Sequence, residues 1–272
     1  MSRRFRSIVK QWVEALPPHL GSVVFGMVRY LSIEGVRERR RRESRISRAL
    51  GAPHHVLQGP FAGMRYITRA QGSESLPKIL GTYELELRSA IEAICAYGAD
   101  TIINIGAAEG YYAIGLAMRN PAARVICFEM FRPAHFLFKK MRSANGMDGR
   151  IELHGECDNA ALKASLARAT RAVIVCDCEG AEDLLLDPAA VPELARAVVL
   201  VETHDQFCPG VSGRLRARFG NTHELQTIVE VKRTFGDLPP CVGITEEQAR
   251  QAMDETREGQ GAWLYMVPRR LA

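Results

Sequence analysis

Residues 101–129 read TIINIGAAEGYYAIGLAMRNPAARVICFE, and this stretch decides the fold class of the chain. Its first part, Ile102–Ile105, is the β-branched run of a strand that is buried on both faces. Gly106 and Gly110 then bracket a turn in which the backbone must pass close to another group. Residues Glu109–Arg119 have helical character. The order strand, glycine turn, helix predicts one half of a nucleotide-binding α/β unit.

A second buried strand completes this half. Val125–Phe128 is again apolar, and Glu129 stands at its carboxyl end. In nucleotide-binding α/β folds an acidic residue about 20 residues beyond the glycines binds the ribose hydroxyls. We therefore expect Glu129 to hold a ribose.

Strands and helices continue to alternate after Glu129. This alternation predicts a parallel sheet with helices on both faces. The expected strands are 150–154, 172–176 and 197–201, and the expected helices are 133–144, 159–169, 181–186 and 191–196.

The two ends of the predicted sheet domain are less regular. Before the first strand we expect short strands within 54–70, a loop at Pro77–Gly81 and a helix over Glu84–Tyr97. After the fifth strand, the strand-like segments Gln226–Arg233 and Trp263–Val267 lack the short crossover of the earlier units. The expected fold is α/β: a doubly wound, mostly parallel seven-stranded sheet with an antiparallel C-terminal edge strand.

The basic charge is confined to the start of the chain. Residues 1–50 hold 12 Lys and Arg against 4 Asp and Glu, whereas the whole chain has a net charge of +5, so the remainder is net acidic. We expect residues 1–52 to form a basic helical extension and residues 53–272 to form the α/β domain. The extension, with its arginine run Arg37–Arg42, can pack on the domain or on a second subunit, or contact an anionic membrane surface. Nucleic acid is the least favoured partner, because no aromatic residues interleave the run.

Several of the seven cysteines lie inside apolar runs, which indicates reduced, buried thiols. With no convincing secretory signal, we expect a cytoplasmic protein.

Polar residues follow the core strands of the predicted sheet. The carboxyl ends of parallel strands meet at one edge, where ligands bind. These residues are Asn104, Glu129, Glu156, Asp158, Asp177, Glu179, Glu202, His204 and Asp205. Because the G-x-G-x-x-G of dinucleotide folds is absent and the edge is acidic, the sequence favours a cationic cofactor that has ribose hydroxyls but no phosphate. S-adenosylmethionine has these properties.

Several motifs resemble those of the FkbM-type S-adenosylmethionine-dependent methyltransferases. INIGAAEGYY at 103–112 is similar to the first motif of that family, and CDCEGAE at 176–182 to its D-x-E-G-A-E motif. FEMFRP at 128–133, GTYE at 81–84 and VETH at 201–204 also have counterparts there. The resemblance spans about residues 54–268 and implies a Rossmann-like methyltransferase fold.

The resemblance also implies a cofactor site. Gly106, Ala107 and Gly110 would shape the turn against the cofactor, Glu129 would bind the ribose, and Asp177 would lie near the sulfonium. Asn104 stands where the family usually has Asp, and Glu84 or Glu109 could supply the missing charge. The full expected set is Tyr83, Glu84, Asn104, Gly106, Ala107, Glu109, Gly110, Tyr111, Glu129, Met130, Glu156, Cys157, Asp158, Asp177 and Glu179.

For catalysis we expect His204 to act as the base that removes a proton from an acceptor hydroxyl. Glu202 lies two positions earlier and could orient the ring, and Asp177 is the second candidate base. We assign no metal ligand, although such a cluster can instead hold a divalent cation that lowers the pKa of the acceptor hydroxyl.

These observations predict an O-methyltransferase acting on a small-molecule or saccharide hydroxyl. A non-catalytic cofactor-binding or scaffolding protein on the same fold is the main alternative. A nucleotide-linked oxidoreductase is disfavoured by the missing third glycine.

Overall fold

The computed structural model of the chain describes residues 41, 43–51, 54–67, 70–240, 243–257 and 261–269. Its strands are β1 (Thr101–Ile105), β2 (Arg124–Phe128), β3 (Ile151–His154), β4 (Ala172–Cys176), β5 (Val198–Thr203), β6 (His223–Val229) and β7 (Ala262–Pro268). They form one seven-stranded sheet in the order β3-β2-β1-β4-β5-β7-β6. Strands β1 to β5 pair in parallel, and β7 pairs antiparallel with both β5 and β6.

Helices connect the strands. A helix over residues 43–49 comes first among the described residues. The later helices are α1 (Ser75–Leu80), α2 (Arg88–Tyr97), α3 (Tyr111–Arg119), α4 (Arg132–Ala144), α5 (Asn159–Leu166), α6 (Glu182–Leu185), α7 (Val211–Phe219) and α8 (Glu246–Ala252). Short 3₁₀ helices lie at Leu85–Leu87, Pro192–Arg196 and Phe235–Asp237.

The burial of each strand explains its place in the sheet. Every residue of β1, β4 and β5 is buried, as expected for the apolar runs of central parallel strands. The outer strand β6 alternates in part between buried and exposed positions. The predicted fold class, a doubly wound, mostly parallel seven-stranded Rossmann-like sheet, is confirmed. The structure adds that the antiparallel strand β7 lies between β5 and β6.

Two hydrophobic layers cover the sheet. Successive residues of β1 point to opposite faces, so Ile102 joins one layer and Ile103 the other. The first layer contains Ile94 of α2 and Ile114 of α3, and the second contains Leu215 of α7. The sheet is therefore doubly wound, with helices on both faces.

A third cluster joins the end of the N-terminal extension to the domain. Ile46 from the helix over 43–49 packs with Leu80 of α1 and Ala252 of α8. Residues 43–49, which we assigned to the extension, thus contribute to the core of the domain. Apart from Arg41, which is exposed, the arginine run lies outside the described residues.

Some local predictions were wrong. The expected loop at Pro77–Gly81 belongs mostly to α1, because proline is tolerated in a first helical turn and Gly81 ends the helix in the left-handed conformation. The expected strand at Gln226–Arg233 begins earlier and ends at Val229. Residues 54–67 form one isolated bridge, His55 to Arg65, rather than regular strands.

Within the part of the chain that the structure describes, no helix is long and apolar enough to cross a membrane. The cysteines described there, six in number, are free thiols.

We predict that Gly106→Ala destabilises the protein far more than Gly98→Ala. Both glycines have positive φ values, +77° and +70°, so each alanine costs about 1–2 kcal/mol of backbone strain. A Cβ at Gly106 would also lie 1.6 Å from the carbonyl oxygen of Asp177, whereas one at Gly98 meets no atom within 4 Å. We expect an additional loss of about 2 kcal/mol or more for Gly106→Ala. Urea denaturation of both variants measures this difference, and equal losses would contradict it.

Candidate functional site

The turn after β1 is folded tightly against its neighbours. The amides of Gly106 and Ala107 both donate to the carbonyl of Phe128, at 2.9 and 3.0 Å. Gly106 and Ala108 adopt positive φ values, which let the backbone reverse direction within a few residues. Because Gly106 has no side chain, the turn also reaches the backbone of Asp177 after β4. The first and fourth strands therefore deliver their polar residues to one place.

Glu129 is fixed at the end of β2. Its Oε2 accepts a hydrogen bond from the amide of Ala108 (2.8 Å) and its Oε1 accepts one from the amide of Phe131 (2.7 Å). The residue is buried, and this burial raises the pKa of its carboxyl group. Each oxygen can accept a further hydrogen bond. The carboxylate is thus held in one orientation beside the glycine turn.

His204 lies among four carboxylates. Its Nδ1 is 2.6 Å from Oε1 of Glu182, and its Nε2 faces oxygens of Glu179 at 3.5 Å, Asp177 at 3.6 Å and Glu202 at 3.9 Å. We term these five residues the His204 cluster. The ring's hydrogen-bonded carboxylate is Glu182 rather than Glu202, which we had expected to orient it. Glu182 was not predicted, because only Asp177 and Glu179 of its motif were expected in the site.

The carboxylates determine the protonation of His204. Burial disfavours the imidazolium form, but the hydrogen bond to Glu182 and the charges of Asp177 and Glu202 outweigh it. Together they raise the pKa of His204 to about 11. At neutral pH the ring therefore holds two protons unless another positive charge enters the site.

Arg257 connects three elements at the same edge. Its guanidinium binds Glu202 at 2.8 Å and Glu255 at 2.9 Å, and it also contacts Glu84. Arg233 contacts Glu255 as well. Glu202, a residue of β5, thus stands between Arg257 and His204. Arg257 was not predicted, because its neighbours in the sequence form no motif that indicates a site.

Glu84 is a buried carboxyl group with an unusual proton affinity. Burial raises the pKa of Glu84 to about 8; repulsion from Glu255 and Asp177 acts in the same direction, and Arg257 acts against it. The residue has a positive φ of 46°, so the backbone directs it inward from the start of the 3₁₀ turn. The carboxyl group is already bound by Arg257 and by the hydroxyl of Tyr112, so a positively charged ligand would compete with these partners.

The acids of the His204 cluster are affected in the same way. Partial burial and the neighbouring Asp177 raise the pKa of Glu179 to about 7, and burial with Asp177 raises that of Glu202 well above its usual range. Partial burial also raises the pKa of Asp177, although His204 opposes this. In this group of acids, removal from water and mutual repulsion thus outweigh the positive charge that the site holds.

Glu109 is bound by internal partners. Its carboxylate is completely buried and accepts hydrogen bonds from Lys78 Nζ (2.5 Å), Tyr66 Oη (2.8 Å) and the amide of Gln71 (2.8 Å). Lys78 also lies 4.7 Å from the ring centre of Tyr83. Glu109 is therefore not open to a ligand's ammonium group, contrary to what we allowed. Lys78 was overlooked because its segment was interpreted as a loop.

The other predicted cofactor residues differ in their surroundings. Asn104 is buried in β1, and its side-chain amide donates to the carbonyl of Val175 at 3.3 Å. Tyr83 and Tyr111 contact each other edge to face. Asp158 caps helix α5 by accepting from the amide of Ala161 at 2.7 Å. Met130, Glu156 and Asp158 are exposed, and Cys157 is half-buried.

No protein-family model matches the chain, and no curated protein matches it. Solved structures resemble it in part. The O-methyltransferase TomG from Streptomyces achromogenes, solved with SAM, is 14% identical over 65% of this chain and 77% of its own, with a TM-score of 0.41. Precorrin-6y C5,15-methyltransferase from Geobacter metallireducens is 11% identical over 66% and 88%, with a TM-score of 0.47. The tRNA methyltransferase TrmK from B. subtilis is 12% identical over 65% and 64%, with a TM-score of 0.40. At these values we draw no functional conclusion from them.

We predict that the ligand-free protein loses stability as pH rises from about 5 to 9. The pKa of Glu84 is raised from 4.5 to about 8 and that of His204 from 6.5 to about 11. Folded protein therefore binds more protons than unfolded protein over this range, and the free energy of unfolding falls with pH. Glu84→Gln should reduce the fall by about 1 kcal/mol or more.

Thermal denaturation at several pH values measures this slope. Glu92→Gln is the matched control, because Glu92 is exposed, is paired with Arg119 and has a lowered pKa, so it does not titrate above pH 5. A profile for Glu84→Gln that is parallel to that of the wild type would contradict the assignment.

Proposed function

We propose that this chain is an S-adenosylmethionine-dependent methyltransferase that methylates a hydroxyl group of a small molecule or saccharide. The observation that supports this most is the excess of carboxylates at the carboxyl ends of the strands. These acids surround a glycine turn of the kind that accommodates a nucleoside. A cofactor with a sulfonium and an ammonium group would supply the positive charge that they lack.

The residues fit such a cofactor better than a phosphate-bearing one. Glu129 offers a fixed carboxylate to a ribose diol, and Gly106 lets the turn approach closely. A phosphate would instead require an unpaired cation or open amides. Three cations close to His204 and Glu84, namely Lys78, Arg233 and Arg257, are each bound by carboxylates.

We place the cofactor accordingly. Glu129 would hold the ribose, with Met130 and residues 156–158 beside the adenine. Glu84 would face the methionine ammonium in place of the charge that Asn104 lacks. Asp177 and Tyr83 would lie nearest the sulfonium.

The chemistry requires alignment and removal of one proton. When bound, the cofactor would supply a sulfonium methyl group: an oxygen nucleophile bonds to the methyl carbon in line, and the C–S bond breaks with its electron pair leaving on sulfur as a neutral thioether. Oδ1 of Asp177 is buried without a hydrogen-bond partner, so it can accept the hydroxyl proton. His204 can accept it only after added positive charge has lowered its pKa. Glu182 keeps the ring in place through Nδ1, and Glu202 is held by Arg257.

We also propose membership of the FkbM-type group, a hydroxyl acceptor, a cytoplasmic location and a role of residues 1–50 in subunit or membrane contact. The scaffolding alternative shares the cofactor site and differs only in turnover. Cofactor binding without methyl transfer to any hydroxyl compound would favour it.

We predict that the protein binds S-adenosylmethionine and that Glu129→Gln weakens binding about tenfold or more, because a charged acceptor of two ribose hydroxyls is lost. Isothermal titration calorimetry gives both affinities. The control is Glu152→Gln, since Glu152 lies on β3 and is exposed and paired with Arg124. If the wild type did not bind at millimolar cofactor, the proposed function would be wrong. If wild type and Glu129→Gln bound with equal affinity, Glu129 would not be a cofactor-binding residue.

A further inference from the structure

Three side chains with metal-ligating atoms converge at the ends of β4 and β5. Asp177 and Glu179 follow β4, and His204 follows β5. One nitrogen or oxygen atom from each lies within 4.8 Å of the other two. Neighbouring parallel strands bring these residues together, although they are far apart in the sequence.

The distances suit an ion better than direct hydrogen bonds. Nε2 of His204 is 3.5 Å from Glu179 Oε2 and 3.6 Å from Asp177 Oδ1. A charged N–H···O bond is shorter, about 2.7–2.9 Å. A metal bound to nitrogen and oxygen at about 2.1 Å each, with an angle between tetrahedral and 120°, places those atoms about 3.4–3.6 Å apart. The spacing therefore matches two ligands of one cation.

The second nitrogen of the ring has the partner found in metal sites. Nδ1 of His204 is 2.6 Å from Glu182, whose side chain is completely buried and also accepts from the amide of Gly180. A histidine that binds a metal commonly donates its other N–H to a carboxylate, which fixes the ring and makes the ligating nitrogen more basic. Here the arrangement directs Nε2 at Asp177 and Glu179.

The negative charge around His204 also favours a bound cation. The His204 ring is 5% exposed, and Oδ1 of Asp177, which it faces, is a buried atom with no hydrogen-bond partner. Four acids surround the ring: Asp177 and Glu179 from the loop after β4, Glu182 from α6 and Glu202 from β5. Arg257, from the segment before β7, binds Glu202. A single imidazolium cannot offset four carboxylates, and Arg257 is shared among three acids.

We propose that Asp177, Glu179 and Nε2 of His204 bind a divalent first-row transition-metal ion such as Mn²⁺ or Zn²⁺. One imidazole and two carboxylates are a donor set for these ions rather than for Ca²⁺, which prefers oxygen ligands alone. Three protein ligands leave at least one position for water or for an oxygen of a substrate. Glu182 is a positioning residue that acts through the ring of His204.

The metal site stands independently of the proposed function. A consequence that does rest on that function concerns the acceptor. A cation here would bind the acceptor oxygen and lower the pKa of its hydroxyl, so the proton could leave without a basic His204. The acceptor would then be a compound with a metal-binding oxygen.

The test measures Mn²⁺ binding to the chelator-treated full chain in the absence of cofactor, by loss of the electron paramagnetic resonance signal of free Mn²⁺. We expect one ion per chain. Glu179→Gln and His204→Gln should each weaken binding about tenfold or more. Glu179 is exposed, so its variant should fold even if the buried His204 variant does not. Glu152→Gln, a change to an exposed acid of β3 that is paired with Arg124, should bind like the wild type.

Proton release provides a second readout that surface carboxylates would not give. Metal displaces protons from its ligands, so calorimetry in buffers of different ionisation enthalpy should show proton release on binding in the wild type. A folded His204→Gln should release fewer protons per ion, because the proton of Nε2 is gone. The proposal would be wrong if the wild type showed no saturable binding at millimolar Mn²⁺, or if Glu179→Gln bound Mn²⁺ with the affinity of the wild type. Cofactor titration of the chelator-treated protein tests the proposed function separately.

Discussion

The structure is constrained by a surplus of carboxylates, most of them wholly or partly buried, at the carboxyl edge of its sheet. Glu84, Glu182 and Glu202 are buried around His204 and Arg257, Asp177 is partly buried and Glu179 is exposed, and burial with mutual repulsion raises the pKa of several of them. Placing like charges together away from water opposes folding unless cations or protons accompany them. A site that tolerates this arrangement is prepared for a positively charged ligand. The proposed cofactor and the proposed metal are two ways to supply that charge.

The fold determines why the acids meet. In a parallel sheet each strand ends at the same edge, so residues far apart in sequence become neighbours. The turn after β1 contacts the backbone after β4 through Gly106, and its Ala108 amide binds Glu129 after β2. Arg257 then links Glu84, Glu202 and Glu255. The groups that we propose to bind the cofactor and to accept the proton consequently share one framework.

Much of this framework could be predicted from the sequence. The apolar runs of β1, β4 and β5 and the glycine turn determined the sheet, and residues at strand ends were bound to share an edge. Partners that depend on tertiary contacts were not predictable. Lys78 pairs with Glu109 across two elements, and Arg257 arrives from an irregular segment. Whether Glu182 or Glu202 binds the ring of His204 depends on the path of the loop after β4. The hydrophobic periodicity of the sequence does not predict that path.

The position of β7 has a consequence for the order in which the molecule forms. Strand β7 lies between β5 and β6, so β6 has no place in the sheet until residues 262–268 have been synthesised and docked. Arg257 belongs to the same late segment. In a nascent chain, Glu84 and Glu202 therefore stay hydrated or protonated until that segment arrives. The sheet is completed and its acidic edge is neutralised in the same late step.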